Sequence, residues 1–206
     1  MSIDIIRDGE AIIMIGTTEE EHDSLRRKLL NEDLYLEEMN RISNPKRMRE
    51  FLMVRLLLQN FFGYTPVVLY NKEGKPRLQE PGYELSISHC GHHAAVVLHP
   101  LRKVGIDIEK RGRNVQKVAR RFLSSGEKSD FAGIENTDDL LLIWSAKEAL
   151  YKIIGKDACD FATSFRVYPF ETASSGVMQA EYLHTGNMYR MQYRCTDNYV
   201  LVWAIE

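Results

Sequence analysis

Two short segments of this chain carry residues whose type and spacing suit chemistry. In VGIDIE (104–109), read as a strand, alternate side chains face opposite sides, so Ile106 and Ile108 share one face while Asp107 and Glu109 share the other. In WSAKEALYK (144–152), read as a helix, Glu148 and Lys152 fall about 40° apart at about 100° per residue. They lie opposite an apolar stripe of Leu142, Ala146, Ala149, Leu150 and Ile153. Three carboxylates and one lysine suit Mg2+, which prefers hard oxygen ligands and leaves part of its shell to phosphate oxygens and water. The lysine adds a point positive charge where phosphate charge gathers. The expected substrate is therefore a phosphoanhydride or a phosphodiester. Each half alone has a plainer reading, the polar side of a surface strand or an i,i+4 helical ion pair worth roughly 0.2–0.5 kcal/mol. Their combination is what points to a site.

The elements that must position these groups are legible from periodicity and punctuation. IDIIRDGEAIIMI has two apolar runs around Asp8-Gly9, the mark of a hairpin. Thr18 and Glu21 have capping-box spacing. Asn44-Pro45 supplies a cap and a first-turn proline for a helix running to about Phe62, stopped by Gly63. VVLYNKEGKPRL reads as a strand, a turn at 71–74 and a return, and ELSIS, AAVVL and VGIDIE follow as strands. A helix from about Asn114 comes next, Ser124 and Glu127 should cap another, and a third spans about Leu140 to Ile154 before Gly155. Strands in FRVYPF, MQAEYL, MYRMQY and YVLVWAI complete an α+β pattern.

The chain as a whole narrows the function classes. Its 206 residues, 44% hydrophobic and 27% charged, are enough for a real core. No window reaches the roughly 20 apolar residues of a membrane span, and the acidic amino terminus lacks a signal-peptide core, so a cytoplasmic protein is expected. Cys90, Cys159 and Cys195 are odd in number and have no CxxC spacing, as expected of reduced thiols. A net charge of −2 gives no global attraction to nucleic acid or an anionic membrane.

Taken together, VGIDIE and WSAKEALYK resemble the two-part signature of the 4'-phosphopantetheinyl transferases, (V/I)G(I/V)D followed by (F/W)(S/C/T)xKE(A/S)xxK. Val104, Gly105, Ile106, Asp107, Trp144, Ser145, Lys147, Glu148, Ala149 and Lys152 meet every specified position. GKP at 74–76 and SISH at 86–89 extend the resemblance to the larger, surfactin-synthetase-activating type, over roughly residues 45–155. The resemblance implies two similar α/β lobes related by a pseudo-twofold, 1–102 and 103–206, dividing near Pro100 to Lys103, with coenzyme A in the cleft between them. It implies transfer of the phosphopantetheine arm of coenzyme A to a serine of an apo carrier protein of fatty acid, polyketide or nonribosomal peptide synthesis. The enzyme is expected to act as a monomer.

By the same resemblance, Asp107, Glu109 and Glu148 hold Mg2+, Lys152 adds charge at the diphosphate, and either Glu148 or a metal-bound water takes the serine proton. Lys147 contacts a nucleotide phosphate or is solvated. Lys75 and the basic helix start with Lys46, Arg47 and Arg49 resemble cofactor-phosphate contacts. Ser88 and His89 are expected to hydrogen-bond cofactor phosphates. The most basic stretch, with Arg111, Arg113, Lys117, Arg120 and Arg121, is expected to dock the acidic carrier, while Val115, Val118 and Phe122 face the core.

HCGHH (89–93) has the residue types of a transition-metal site, but histidine suits zinc and later metals, whereas phosphate chemistry asks for oxygen ligands. His92 and His93 are expected in an exposed loop, and Cys90 as an inert small residue. A Mg2+-dependent nuclease or phosphohydrolase is a rival reading, opposed by the near-neutral charge. A degenerate relative that binds carriers without transfer is another.

Overall fold

The chain forms two units, Met1–Leu101 and Arg102–Glu206. The computed structural model describes residues 1–131, 137–155 and 160–206; Cys159 lies outside them. In the first unit, β1 (Ser2–Asp8) and β2 (Ala11–Thr17) form the Asp8-Gly9 hairpin. It closes where Asp8 pairs with Ala11, and Gly9 takes φ 58, a left-handed conformation that glycine adopts without penalty. Short helices α1 (His22–Arg26) and α2 (Leu36–Asn40) precede α3 (Pro45–Phe62). Asn44 Oδ1 accepts from Lys46 N at 2.9 Å and Arg47 N at 3.2 Å, and Gly63 ends the helix at φ 76. Then come β3 (Val68–Tyr70), β4 (Pro76–Leu78), β5 (Glu84–Cys90) and β6 (His93–His99).

The main sheet is antiparallel, in the order β1-β2-β6-β5, with β3 and β4 paired separately. Its inner face, Ile12, Met14, Ala94, Val96 and Leu98, packs in one core with Leu52, Met53, Leu56 and Leu57 of α3. Burying such a set is the main stabilisation, at roughly 25 cal/mol per Å² of apolar surface. The expected Thr18 to Glu21 capping box does not form. Thr18 N donates to His92 O at 3.0 Å, prolonging the strand ladder, and Thr18 Oγ1 accepts from Glu20 N. Tied to the sheet, Thr18 caps nothing, and α1 begins at His22 without a side-chain cap.

The second unit starts with β7 (Val104–Lys110). The helix expected from Asn114 is only a 3-10 turn, Gln116–Val118, and one turn of α4 (Ala119–Phe122). Leu123 is extended and Ser124 opens α5 (Ser125–Asp130), where the predicted capping box is complete. Helix α6 (Thr137–Ile154) and α7 (Phe161–Ser164) lead to β8 (Phe165–Val167), β9 (Ser175–Tyr182), β10 (Asn187–Cys195) and β11 (Tyr199–Ile205). The antiparallel order β7-β11-β10-β9-β8 makes β7 an edge strand. Sheet and helices that pack on antiparallel strands in both units give an α+β protein. Among the described residues no helix is long and apolar enough to cross a membrane.

Candidate active site

Glycine decides how the two chemical segments meet. Gly105 lies so close to α6 that a Cβ built on it would stand 1.9 Å from the Ala149 carbonyl oxygen. Asp107 pairs with Val202, and Gly105 with Ala204, across the β7/β11 ladder. Cross-strand partners share a face, and Val202 and Ala204 lie in the core that holds Ala146, Ala149 and Leu150 of α6. Gly105, Asp107 and Glu109 therefore face the helix. The carboxylate side is not the polar side of a surface strand: Asp107 is 5% exposed.

Each strand carboxylate has its own cation. Lys152 Nζ donates to Asp107 Oδ1 at 3.1 Å and to the Ile106 carbonyl at 2.6 Å. Arg113 Nη1 donates to Glu109 Oε1, and Trp144 Nε1 donates to the same oxygen at 3.1 Å. Burial, and next the neighbouring Asp107 charge, push the Glu109 carboxyl above its ordinary pKa. The same two causes, with Glu109 adding to them and Lys152 opposing, push Glu148 to about 7. Three partly buried carboxylates against two cations leave excess negative charge that a hard divalent ion relieves, and every donor is an oxygen, so the residues fit Mg2+. Among the described residues no three His, Cys, Asp or Glu side chains form a ready-made ion site, so a cation would have to draw these carboxylates together. The strand carboxylates are instead engaged by Lys152 and Arg113.

The basic residues divide differently from expectation. Lys147 is neither solvated nor open to a phosphate. Its side chain is fully buried, and Nζ donates to Glu127 Oε2 at 2.6 Å and to the carbonyls of Phe122 (2.6 Å), Phe165 (2.9 Å) and Phe161 (3.2 Å). One step round the helix from Glu148 takes it from the site side into the core. Arg111 is also committed, to Asp138 at 2.8 Å and the Thr196 carbonyl at 3.0 Å, and Arg113 to Glu109. Lys117, Arg120 and Arg121 are exposed and make no ion pair among the described residues, while Val115 and Phe122 are buried.

The first unit has a pocket of about 580 Å3 beside α3, bordered by Arg47, Glu50, Arg55, Tyr70, Gly74 and His89 among others. Glu50, 4% exposed, meets His89 Nδ1 at 3.3 Å through Oε2. Arg55, 1% exposed, stacks 3.8 Å from the Phe51 ring centre and reaches Glu38 at 3.4 Å. Arg47 borders the pocket; Arg49 does not, and its Nε is buried with no hydrogen-bond partner among the described residues. Gly74, at φ 80, and Pro76 line the pocket from a turn closed by Asn71, whereas Lys75 does not border it. Ser88 and His89 do not share a face. Ser88 pairs with Ala95 and His89 with Ala94, and only Ala94 belongs to the α3 side. Alternation therefore separates them.

The signals for the residues missed were present. Arg55 sits inside LMVRLLL, where one charge in an apolar run marks a buried cation. Capping-box spacing marks Glu127 only as a cap, but it also accepts from Val167 N at 2.7 Å and pairs with Lys147. In HCGHH, His93 is buried, not looped out, and its Nδ1 lies 2.9 Å from Thr17 Oγ1. His92 is half exposed and faces Glu19 at 3.2 Å.

Residues 103–204, nearly all of the second unit and all of the carboxylate site, match the 4'-phosphopantetheinyl transferase superfamily. Through this unit the chain belongs to that superfamily. It is 30% identical over 112 residues to a 4'-phosphopantetheinyl transferase of Bacillus subtilis, a match covering 51% of this chain and 50% of the relative. To the 4'-phosphopantetheinyl transferase Sfp of Bacillus subtilis strain 168 it is 36% identical over 87 residues, 40% of this chain and 38% of the relative. A third relative, the 4'-phosphopantetheinyl transferase ffp of Bacillus subtilis, is 33% identical over 116 residues, 54% and 51% of the two chains. The chain spans about half or less of the length of these relatives.

Proposed function

We propose that this protein is a Mg2+-dependent 4'-phosphopantetheinyl transferase of the larger, surfactin-synthetase-activating type, working in the cytoplasm on an apo carrier protein. The observation that carries the proposal is the meeting of Asp107, Glu109, Glu148 and Lys152 across the contact of β7 and α6, within the segment that matches the superfamily. Mg2+ held by the three carboxylates would neutralise the diphosphate of coenzyme A.

The chain's own residues do the rest. Lys152, fixed by the Ile106 carbonyl and Asp107, orients that carboxylate and places a positive charge beside the developing phosphate charge. Glu148, which burial and the Asp107 charge raise to about 7 in the absence of a cation, would take the serine proton through an oxygen that the cation leaves free. As the serine oxygen bonds to the pantetheine-side phosphorus, the bond from that phosphorus to adenosine 3',5'-bisphosphate breaks. Arg47 supplies a cationic contact, and His89 a ring N–H, to the anionic cofactor from the pocket of the first unit. Exposed Lys117, Arg120 and Arg121 attract the acidic carrier.

The test is to mix the protein with coenzyme A, Mg2+ and an apo carrier and to weigh the carrier. A gain of one phosphopantetheine, lost in Asp107→Ala, is expected. The proposal fails if no gain appears with any of several carriers, or if Asp107→Ala transfers as well as the unmodified enzyme. Binding without transfer marks the degenerate relative instead, and cleavage of DNA marks a nuclease.

A further inference from the structure

The turn after β7 brings a cation back over the strand it has just left. Arg113 N donates to the Lys110 carbonyl at 3.2 Å, and Gly112 takes φ 78, a left-handed conformation that disfavours any residue with a Cβ. KRGR thus reverses, and the Arg113 side chain meets Glu109, four residues earlier. The two side chains differ in exposure, 46% for Arg113 and 13% for Glu109, so the arginine reaches a half-enclosed carboxylate from the solvent side. Its guanidinium carbon stands 5.7 Å from the centre of the Trp144 ring. Trp144 donates to the same Glu109 oxygen, Oε1, that accepts from Arg113. One carboxylate oxygen offers about two lone-pair directions, so these two donors fill it.

We propose that Arg113 is a resident counter-ion for Glu109 that a divalent cation must displace, and that it thereby sets the cation affinity of the site. This rests on the metal-binding reading above. Without a bound cation, the guanidinium offsets one of three crowded negative charges. When a divalent ion engages Glu109, the two positive charges compete for one carboxylate, and the half-exposed arginine is the partner able to move into water. Trp144, partly buried against the core, stays and keeps Glu109 oriented. The site thus trades an internal cation for an external one.

Mn2+ titration of the full chain, followed by electron paramagnetic resonance, tests this directly. The variants are Arg113→Gln, Arg113→Lys, Asp107→Ala and Lys110→Gln. Lys110 pairs with Tyr199 and alternates away from Glu109, so its loss controls for a general change in charge. Arg113→Gln is expected to bind Mn2+ roughly three- to tenfold tighter, the effect of no longer breaking one charge-assisted hydrogen bond at a half-exposed position. Arg113→Lys should lie nearer the unmodified protein, and Lys110→Gln within about twofold of it. An Arg113→Gln protein that binds no tighter than Lys110→Gln overturns the role of Arg113, while Mn2+ binding that still depends on Asp107 leaves the metal-binding reading standing. If the unmodified protein and Asp107→Ala titrate alike, both fall together.

Discussion

Lys147 Nζ and Glu127 Oε2 meet at 2.6 Å with neither side chain exposed to water. Burial draws the Lys147 pKa below the ordinary lysine range while Glu127 opposes that shift. Three backbone carbonyls complete the ammonium's shell, and Glu127 accepts in addition from Ser124 N and Val167 N. The pair ties α6 to the start of α5, to α7 and to β8. Lys147→Ala would leave a buried carboxylate without its cation, a change that typically costs about 3–5 kcal/mol. Urea denaturation should show that loss. A loss under about 1 kcal/mol would mean that the pair does not anchor the helix.

Gly105→Ala is expected to destabilise the second unit by at least about 1–3 kcal/mol, the usual cost of overpacking. The obstacle is the Ala149 backbone and not a flexible side chain, so strand and helix must separate. Glu148 and Lys152 ride on that helix, and transfer activity should fall more than stability alone explains. Thermal melting together with the carrier mass assay separates the two effects.

Glu148 makes stability depend on pH in the opposite sense to an ordinary salt-bridged acid. Its pKa rises from 4.5 to about 7 on folding, so the folded chain holds this proton more tightly than the unfolded chain. Its contribution is favourable below about pH 4.5, declines as pH rises, and is lost above about 7, a swing on the order of 3 kcal/mol. With chelator present, urea midpoints near pH 5 and pH 8 should differ in that direction, after comparison with Glu148→Gln, which removes the step. Adding Mg2+ at the higher pH should restore stability.

His89→Ala is expected to weaken coenzyme A binding by about tenfold or more, the loss of one charge-assisted contact, and to leave Mn2+ affinity unchanged. Calorimetry with coenzyme A decides it. Unchanged affinity would remove His89 from the cofactor site, and Glu50 would then hold it for packing alone.

Reversing charge at Lys117 and Arg121 should raise KM for the carrier about fivefold or more with little change in kcat, and the effect should shrink as salt rises. The same reversal at Arg111 should instead cost stability, because its guanidinium is spent on Asp138 and the Thr196 carbonyl. Equal effects at both places would contradict the division of the basic stretch seen here.

By itself the sequence determined the features that local rules govern. The Asp8-Gly9 hairpin, the Asn44-Pro45 start and Gly63 stop of α3, and the Ser124 to Glu127 capping box all formed where turn chemistry and capping place them. The periods of strand and helix likewise determined that Asp107 and Glu109 share a side, as do Glu148 and Lys152. Only the tertiary structure decided what those sides meet. A lysine next to Glu148 reads the same in sequence whether it faces water, a ligand or the core, and the partners that buried Lys147 come from Phe122, Glu127, Phe161 and Phe165, which no local period links to it. Thr18 lost its cap to the sheet, and Arg111 and Arg113 lost their freedom to Asp138 and Glu109, for the same reason. Local preferences are worth a kcal/mol or so each, and burial with a long-range partner outweighs them wherever the fold supplies one.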